Sequence, residues 1–168
     1  KPLLREILLS KEFAESSGGK LKRPFQYVVS CLRATGADTM AGDSVLDYLT
    51  KMGHGPFQYP TPDGYPIEAT PWLGTLLWRW NFAFALCSNS LQTAEISLDN
   101  LCSALSIEDF SKEKEPATKL FAYFNGRLPN RLERASLNQY VRQLNFSDEK
   151  ARAELFGLIL SSPAFQKA

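Results

Sequence analysis

Apolar residues recur along this chain three and four positions apart, and no stretch alternates polar and apolar residues over the length of a strand. Leu3, Leu4, Ile7 and Leu8 mark an amphipathic helix from Pro2 to Leu9, and Ser16-Ser17-Gly18-Gly19 follows as a flexible connector. Pro24 opens a second helix with Phe25, Val28, Val29 and Leu32 on one face, and Gly36 supplies its stop. Asp43 or Ser44 can cap a third, with Val45, Leu46, Leu49 and Met52 turned inward and Gly53 at its end. Later, Ser97 begins a short helix carrying Leu98, Leu101, Cys102 and Leu105. Pro116 and Gly126 bracket another, with Ala117, Leu120, Phe121 and Phe124 as its face. Leu137, Tyr140, Val141 and Leu144 mark the next. Ser147 is placed to cap the last, with Asp148 and Glu149 against its dipole and Ala151, Leu155, Leu158 and Ile159 inward. The pattern predicts an all-α fold, a compact bundle of about seven or eight helices.

The densest stretch runs from Met52 to Leu86. Its first part, about 53–70, is rich in Gly, Pro and aromatics and supports neither helix nor regular strand. Thr61-Pro62-Asp63-Gly64 has the residue order of a type I turn. Thr70 then suits an N-cap with Pro71 at the first helical position, so a helix is expected over about 71–86. Leu73, Leu76, Leu77, Trp80 and Phe84 fall on one side of it, and Trp78, Phe82, Ala85 and Leu86 on another. A helix apolar nearly all round is a membrane span or a central core helix. A span needs roughly 18 or more consecutive apolar residues, and Arg79 and Asn81 interrupt this run. The expectation is a buried central helix, with the loop ordered against it through Phe57, Tyr59, Tyr65 and Ile67.

Composition adds limits. The chain has 168 residues, 44% hydrophobic and 22% charged, with 19 Lys and Arg against 18 Asp and Glu. That length suits a single helical domain or lobe over 1–168, read as the C-terminal fragment of a longer protein. A near-neutral balance without a clustered basic surface argues against nucleic acid as a partner. Cys31, Cys87 and Cys102 have no C-x-x-C spacing, so neither a metal site nor a disulfide framework is indicated. Cys31 and Cys87 fall on helices as small buried hydrophobes.

ILLSKEF near the start echoes ILSSPAF near the end, each with a serine three residues before a phenylalanine. Together with KRPFQYVVSCLRATGA, MGHGPFQYPTPDGYP and PWLGTLLWRWNFAFAL, in that order, these blocks resemble the C-terminal part of the bacterial domain-of-unknown-function 1800 family. The resemblance covers essentially the whole chain, and the Pro/Gly/aromatic block is its most specific element. It implies a mostly helical bacterial protein that is often exported, in a periplasmic, secreted or cell-surface setting, with further helical sequence ahead of residue 1. At His54 many family members carry Gln. The resemblance brings no catalytic residue with it.

Chemistry is therefore argued from side chains. His54 is the sole histidine, with Asp63 and Glu68 in the same loop. One His and two carboxylates can hold a metal, and a His oriented by Asp63 can act as a base. No second metal-ligand motif accompanies them, and no nucleophile elbow, phosphate loop or dinucleotide fingerprint occurs, so no catalytic set, metal site or cofactor is expected. Tyr59, Tyr65 and Trp72 are candidates for stacking on a sugar or gripping a peptide. Arg79, within the apolar helix, needs a partner, and Asp63 or Glu68 is the expected one. The favoured reading is a non-catalytic exported domain that binds a protein or supports a cell-surface assembly. A carbohydrate- or peptide-binding module and a hydrolase with its site at the loop are the alternatives.

Overall fold

A computed structural model describes residues 1–110, 112–146 and 148–168. Among these it has ten helices: α1 Pro2–Leu9, α2 Lys11–Glu15, α3 Pro24–Thr35, α4 Asp43–Lys51, α5 Thr70–Leu73, α6 Leu76–Cys87, α7 Leu98–Ala104, α8 Pro116–Asn125, α9 Arg131–Val141 and α10 Glu149–Ser161. The fold is all-α apart from two two-residue strands, β1 Asp38–Thr39 and β2 Ala94–Glu95, paired antiparallel with Asp38 opposite Glu95 and Thr39 opposite Ala94. None of the helices is long and apolar enough to cross a membrane.

Where a punctuating residue sets the boundary, the expectation holds. α3 opens at Pro24 and ends on Gly36 at φ 61°, and α8 opens at Pro116 and ends on Gly126 at φ 65°. Both glycines occupy the left-handed region that a side chain disfavours. The Ser97 hydroxyl caps α7 by accepting from the Asn100 N–H, and Asn130 forms a capping box with Glu133 at the start of α9. Other caps differ from expectation. Gly42 caps α4, with Asp43 already inside it, and the Asp148 carboxylate caps α10 by accepting from the Lys150 N–H. The expected cap at Ser147 lies outside the described residues.

The helix expected over 71–86 is two. Thr70 does not cap: Ala69 holds that position without a side-chain bond, and α5 stops at Gly74. Thr75 leaves helical geometry at φ −102° and ψ 8°, and its hydroxyl donates to the Trp72 carbonyl at 2.8 Å, closing the short turn. α6 then restarts at Leu76 and packs chiefly on α10, and also on α3 and α4. Tyr27, Phe82, Leu86, Leu120, Phe121, Leu155, Phe156 and Ile159 are the heart of the core. At about 1.5–3 kcal/mol per buried large apolar side chain, this set supplies much of the drive to fold. Gly157 lets α10 come close to α6, since a Cβ there would lie 2.7 Å from Phe84 Cδ1.

Burial of α6 is one-sided. Phe82, Ala83, Leu86 and Cys87 are enclosed, whereas Trp80, Phe84 and Leu77 face outward with Leu73 of α5. Leu46 of α4 is likewise exposed rather than inward. α1 forms as its periodicity predicts, yet none of its residues is buried, and its apolar face is bare. The repeated Ser-x-x-Phe is a shared local device: Ser10 Oγ accepts from the Phe13 N–H at 3.1 Å and Ser162 Oγ from the Phe165 N–H at 3.3 Å. Only Phe165 reaches the core; Phe13 stays exposed.

The segment after α10 returns to the start of α3. The Lys22 N–H donates to the Gln166 carbonyl at 2.8 Å and the Ala168 N–H to the Lys20 carbonyl at 2.8 Å, around a bridge between Leu21 and Lys167. Phe165 and Gln166 are buried by this pairing.

Candidate functional site

The Pro/Gly/aromatic loop is ordered against α5, but through fewer residues than its composition suggests. His54, Tyr65 and Trp72 form one aromatic cluster: the imidazole stacks on Trp72 at 5.2 Å and 22°, and sits 4.1 Å from the Tyr65 ring. Tyr59 joins at 4.7 Å from Tyr65. Three of their polar atoms are spent within the loop and its neighbours. The Phe25 N–H donates to His54 Nδ1 at 3.3 Å, the Tyr65 hydroxyl to the Gly55 carbonyl at 2.6 Å, and the Trp72 indole N–H to the Pro66 carbonyl at 3.2 Å. Burial, with Arg23 and Arg79 nearby, holds the imidazole below its ordinary value, so it is the neutral form that accepts from Phe25. Phe57 and Ile67, expected as anchors, are exposed, and Phe57 is held at φ 59°.

Two of the pairings considered from the sequence are not made. Asp63 and Glu68 are exposed, and neither bonds to His54, so the loop assembles no base oriented by a carboxylate. No group of three or more His, Cys, Asp or Glu among the described residues could hold a metal ion. Arg79 does not meet Asp63 or Glu68 either. It is 0% exposed, and its Nη1 donates to the Lys22 carbonyl at 2.8 Å and to Gln166 Oε1 at 2.9 Å. The guanidinium lies 5.4 Å from the centre of the Tyr27 ring. It therefore clamps the start of α3 and the C-terminal segment to α6, not the loop. Its Nε and Nη2 have no hydrogen-bond partner among the described residues. Burial pulls its affinity for a proton down, opposed only by Tyr27 and Cys31.

A concavity lies on the outward side of α5 and α6, beginning at Leu73, one residue beyond Trp72. It is a groove of about 920 Å³ whose walls come from α5, α6, α9, α10 and the C-terminal segment, with Leu76, Trp80, Phe84, Leu137 and Leu158 prominent. Its lining is predominantly apolar, and it is open: Leu132 is 79% exposed, Leu73 52% and Trp80 43%. Sequence reasoning assigned this side of α6 to the core, because a helix apolar all round carries no periodicity that separates its covered side from its bare one.

The polar groups of the groove are unevenly met. At one side Glu133, the sole carboxylate of the lining, accepts from Arg127 Nη1 and Nη2 at 2.8 and 2.7 Å and from the Asn130 N–H at 2.8 Å. Ser161 donates to the Gly157 carbonyl at 2.7 Å. Gln166 is 4% exposed, with its Oε1 held by Arg79 and its side chain bonded to that of Tyr27, while the exposed Lys167 ammonium makes no ion pair among the described residues.

A family model described as "Protein of unknown function (DUF1800)" matches residues 1–167. The chain belongs to that family. No curated protein and no solved structure matches it.

Proposed function

We propose that this is a non-catalytic binding domain whose groove on α5 and α6 receives an amphipathic helix of a partner protein, in an exported bacterial assembly. The observation that carries the reading is the open apolar groove itself. A contiguous exposed apolar surface of this kind marks an interaction site, and helix-in-groove docking presents apolar anchors at i, i+3, i+4 and i+7. The openness favours a polypeptide over a small apolar ligand. With Leu132, Leu73 and Trp80 standing in solvent, an occupant must bring its own polar outer face, as an amphipathic helix does. The loop gives less support to sugar or peptide recognition, because the hydroxyl of Tyr65 and the indole N–H of Trp72 already bond to loop carbonyls.

The test is titration with a helical peptide bearing leucines at i, i+4, i+7 and i+11 and glutamines elsewhere, followed through the fluorescence of Trp80. Saturable binding is expected, weakened at least tenfold in Leu132→Asp and Phe84→Asp while their circular dichroism stays that of the parent. No saturable binding, or binding indifferent to Leu132→Asp, overturns the reading.

A further inference from the structure

α1 is an amphipathic helix that packs its apolar face on nothing. Leu3, Leu4, Ile7 and Leu8 fall within about 140° of one another around it, and all four are exposed. Arg5 and Glu6 fall on the opposite side. Apart from Ser10, residues 1–20 are exposed, so α1 and α2 stand off the body as an arm. The joint between the two helices is set by Ser10, whose hydroxyl donates to the Ile7 carbonyl at 2.9 Å and accepts from the Phe13 N–H. The arm meets the body where Lys20 and Leu21 pair with the C-terminal segment, and Leu21 is itself part of the groove wall. A bare apolar helix is therefore tethered at the rim of an apolar groove. Area decides how the two can meet. At roughly 100 Å² covered for each large apolar side chain, Leu3, Leu4, Ile7 and Leu8 offer about 400 Å², and Leu73, Trp80, Phe84 and Leu132 in the groove about as much. One arm in one groove thus buries about 400 Å² on each partner, half of the about 800 Å² that a stable interface takes from each. Two copies that exchange arms contribute an arm and a groove apiece, and reach it.

We propose that the helix the groove receives is α1 of a second copy of this chain, in a two-fold dimer in which each arm lies in the other copy's groove. This rests on the reading of the groove as a helix-binding site and names the partner. Leu4, Ile7 and Leu8 supply anchors at i, i+3 and i+4, while Arg5 and Glu6 give the polar outer face that an open groove requires of its occupant. A second copy meets the arm as it is folded. To lie in its own groove the arm must instead open the Ser10 joint or the turn after α2, where the Gly19 N–H donates to the Ser16 carbonyl at 3.0 Å.

Sedimentation equilibrium of the chain is expected to show a dimer that dissociates on dilution. Ile7→Asp on the arm and Leu132→Asp in the groove change exposed side chains and leave the core untouched, and each is expected to weaken the dimer at least tenfold. Mixed in equal amounts, the two variants are expected to pair with each other, more weakly than the parent pairs with itself, because one intact arm and one intact groove remain between them. The leucine-bearing helical peptide is expected to dissociate the parent dimer and to bind Ile7→Asp, whose grooves are open, at least fivefold more tightly than the parent. A monomer at every concentration, or a dimer indifferent to Ile7→Asp, overturns the exchange, and peptide binding that persists there leaves the helix-binding reading standing. A monomer in which Ile7→Asp still improves peptide binding shows α1 in the groove of its own chain, and overturns the second copy as occupant. Failure of the peptide to bind Ile7→Asp, with no dimer in the parent, overturns the helix-binding reading itself.

Discussion

The imidazole of His54 lies against the indole of Trp72, stacked at 22° with 5.2 Å between ring centres, and its Nδ1 accepts from the Phe25 N–H. The loop and the start of α3 are thus joined by a group that must stay neutral to keep its acceptor. Burial and two neighbouring arginines hold it below its ordinary value of 6.5. A folded-state value below the unfolded one means that the unfolded chain binds the extra proton first. The stability His54 contributes is present above about pH 6.5 and is lost as pH falls through the folded-state value. Urea midpoints measured between pH 8 and pH 5 are expected to fall in the wild type and to fall less in His54→Gln. Parallel curves would refute the assignment.

Tyr65 donates to the Gly55 carbonyl at 2.6 Å across ten residues of loop. Tyr65→Phe removes the donor and leaves that carbonyl without it, a loss of about 1–2 kcal/mol. Hydrogen exchange of the amides in 53–70 is expected to quicken more than exchange in α10. In Arg79→Met the same loop amides are expected to keep their protection relative to the core, because Arg79 bonds to Lys22 and Gln166 and not to the loop. Selective loss of loop protection in that variant would restore the loop as its partner.

Where Gly157 meets Phe84, a Cβ would intrude to 2.7 Å from Cδ1. Gly157→Ala gains about 1 kcal/mol in helix propensity and meets an overpacking cost of about 1–3 kcal/mol. A net destabilisation of up to about 2 kcal/mol is expected, with the Phe84 ring driven toward the groove. Peptide binding is expected to weaken along with stability. A variant more stable than the parent, binding equally well, would show that α6 and α10 have slack here.

Cys31 and Cys87 are buried thiols, and burial pushes Cys31 up to about 12 and raises Cys87 as well. Native protein is expected to react with a disulfide reagent at these positions only as fast as it unfolds, and denatured protein at once. Because the folded values exceed the unfolded value of 9.0, their contribution to stability is complete below pH 9 and is lost as pH rises above it. Rapid labelling of either cysteine in the native state at pH 7 would contradict the burial.

The sequence was most legible where a single residue decides the backbone. Pro24 and Gly36, Pro116 and Gly126, and Ser97 each act within one turn, and the helices they bound stand where expected. It was least legible where the decision is made at a distance. The acceptors of Arg79 are 57 and 87 positions away, and neither is a charged group, so a search for a nearby carboxylate pointed to the wrong partner. Tyr59, Tyr65 and Trp72 do meet, but His54 joins them in place of the Asp63 and Glu68 that share its loop, because ring stacking is decided by the fold of the loop and leaves no spacing signal in the sequence. Leu73, Trp80 and Phe84 were misassigned because apolarity records a preference for burial and not what will cover it.

The clamp that Gln166 places on Arg79 also sets a schedule. Arg79 is synthesised 87 residues before Gln166, an interval of roughly 4 to 17 s at about 5–20 residues per second. Through that time only one of its two acceptors in the finished fold, the Lys22 carbonyl, has been made. The Tyr27 hydroxyl, shared in the finished fold between the carbonyls of Arg79 and Leu160, also lacks its later acceptor. α10, the chief packing partner of α6, is equally late. The most apolar sequence in the chain therefore spends several seconds on the nascent polypeptide with its charge hydrated and its neighbours unmade, which is the window in which a chaperone has most to hold.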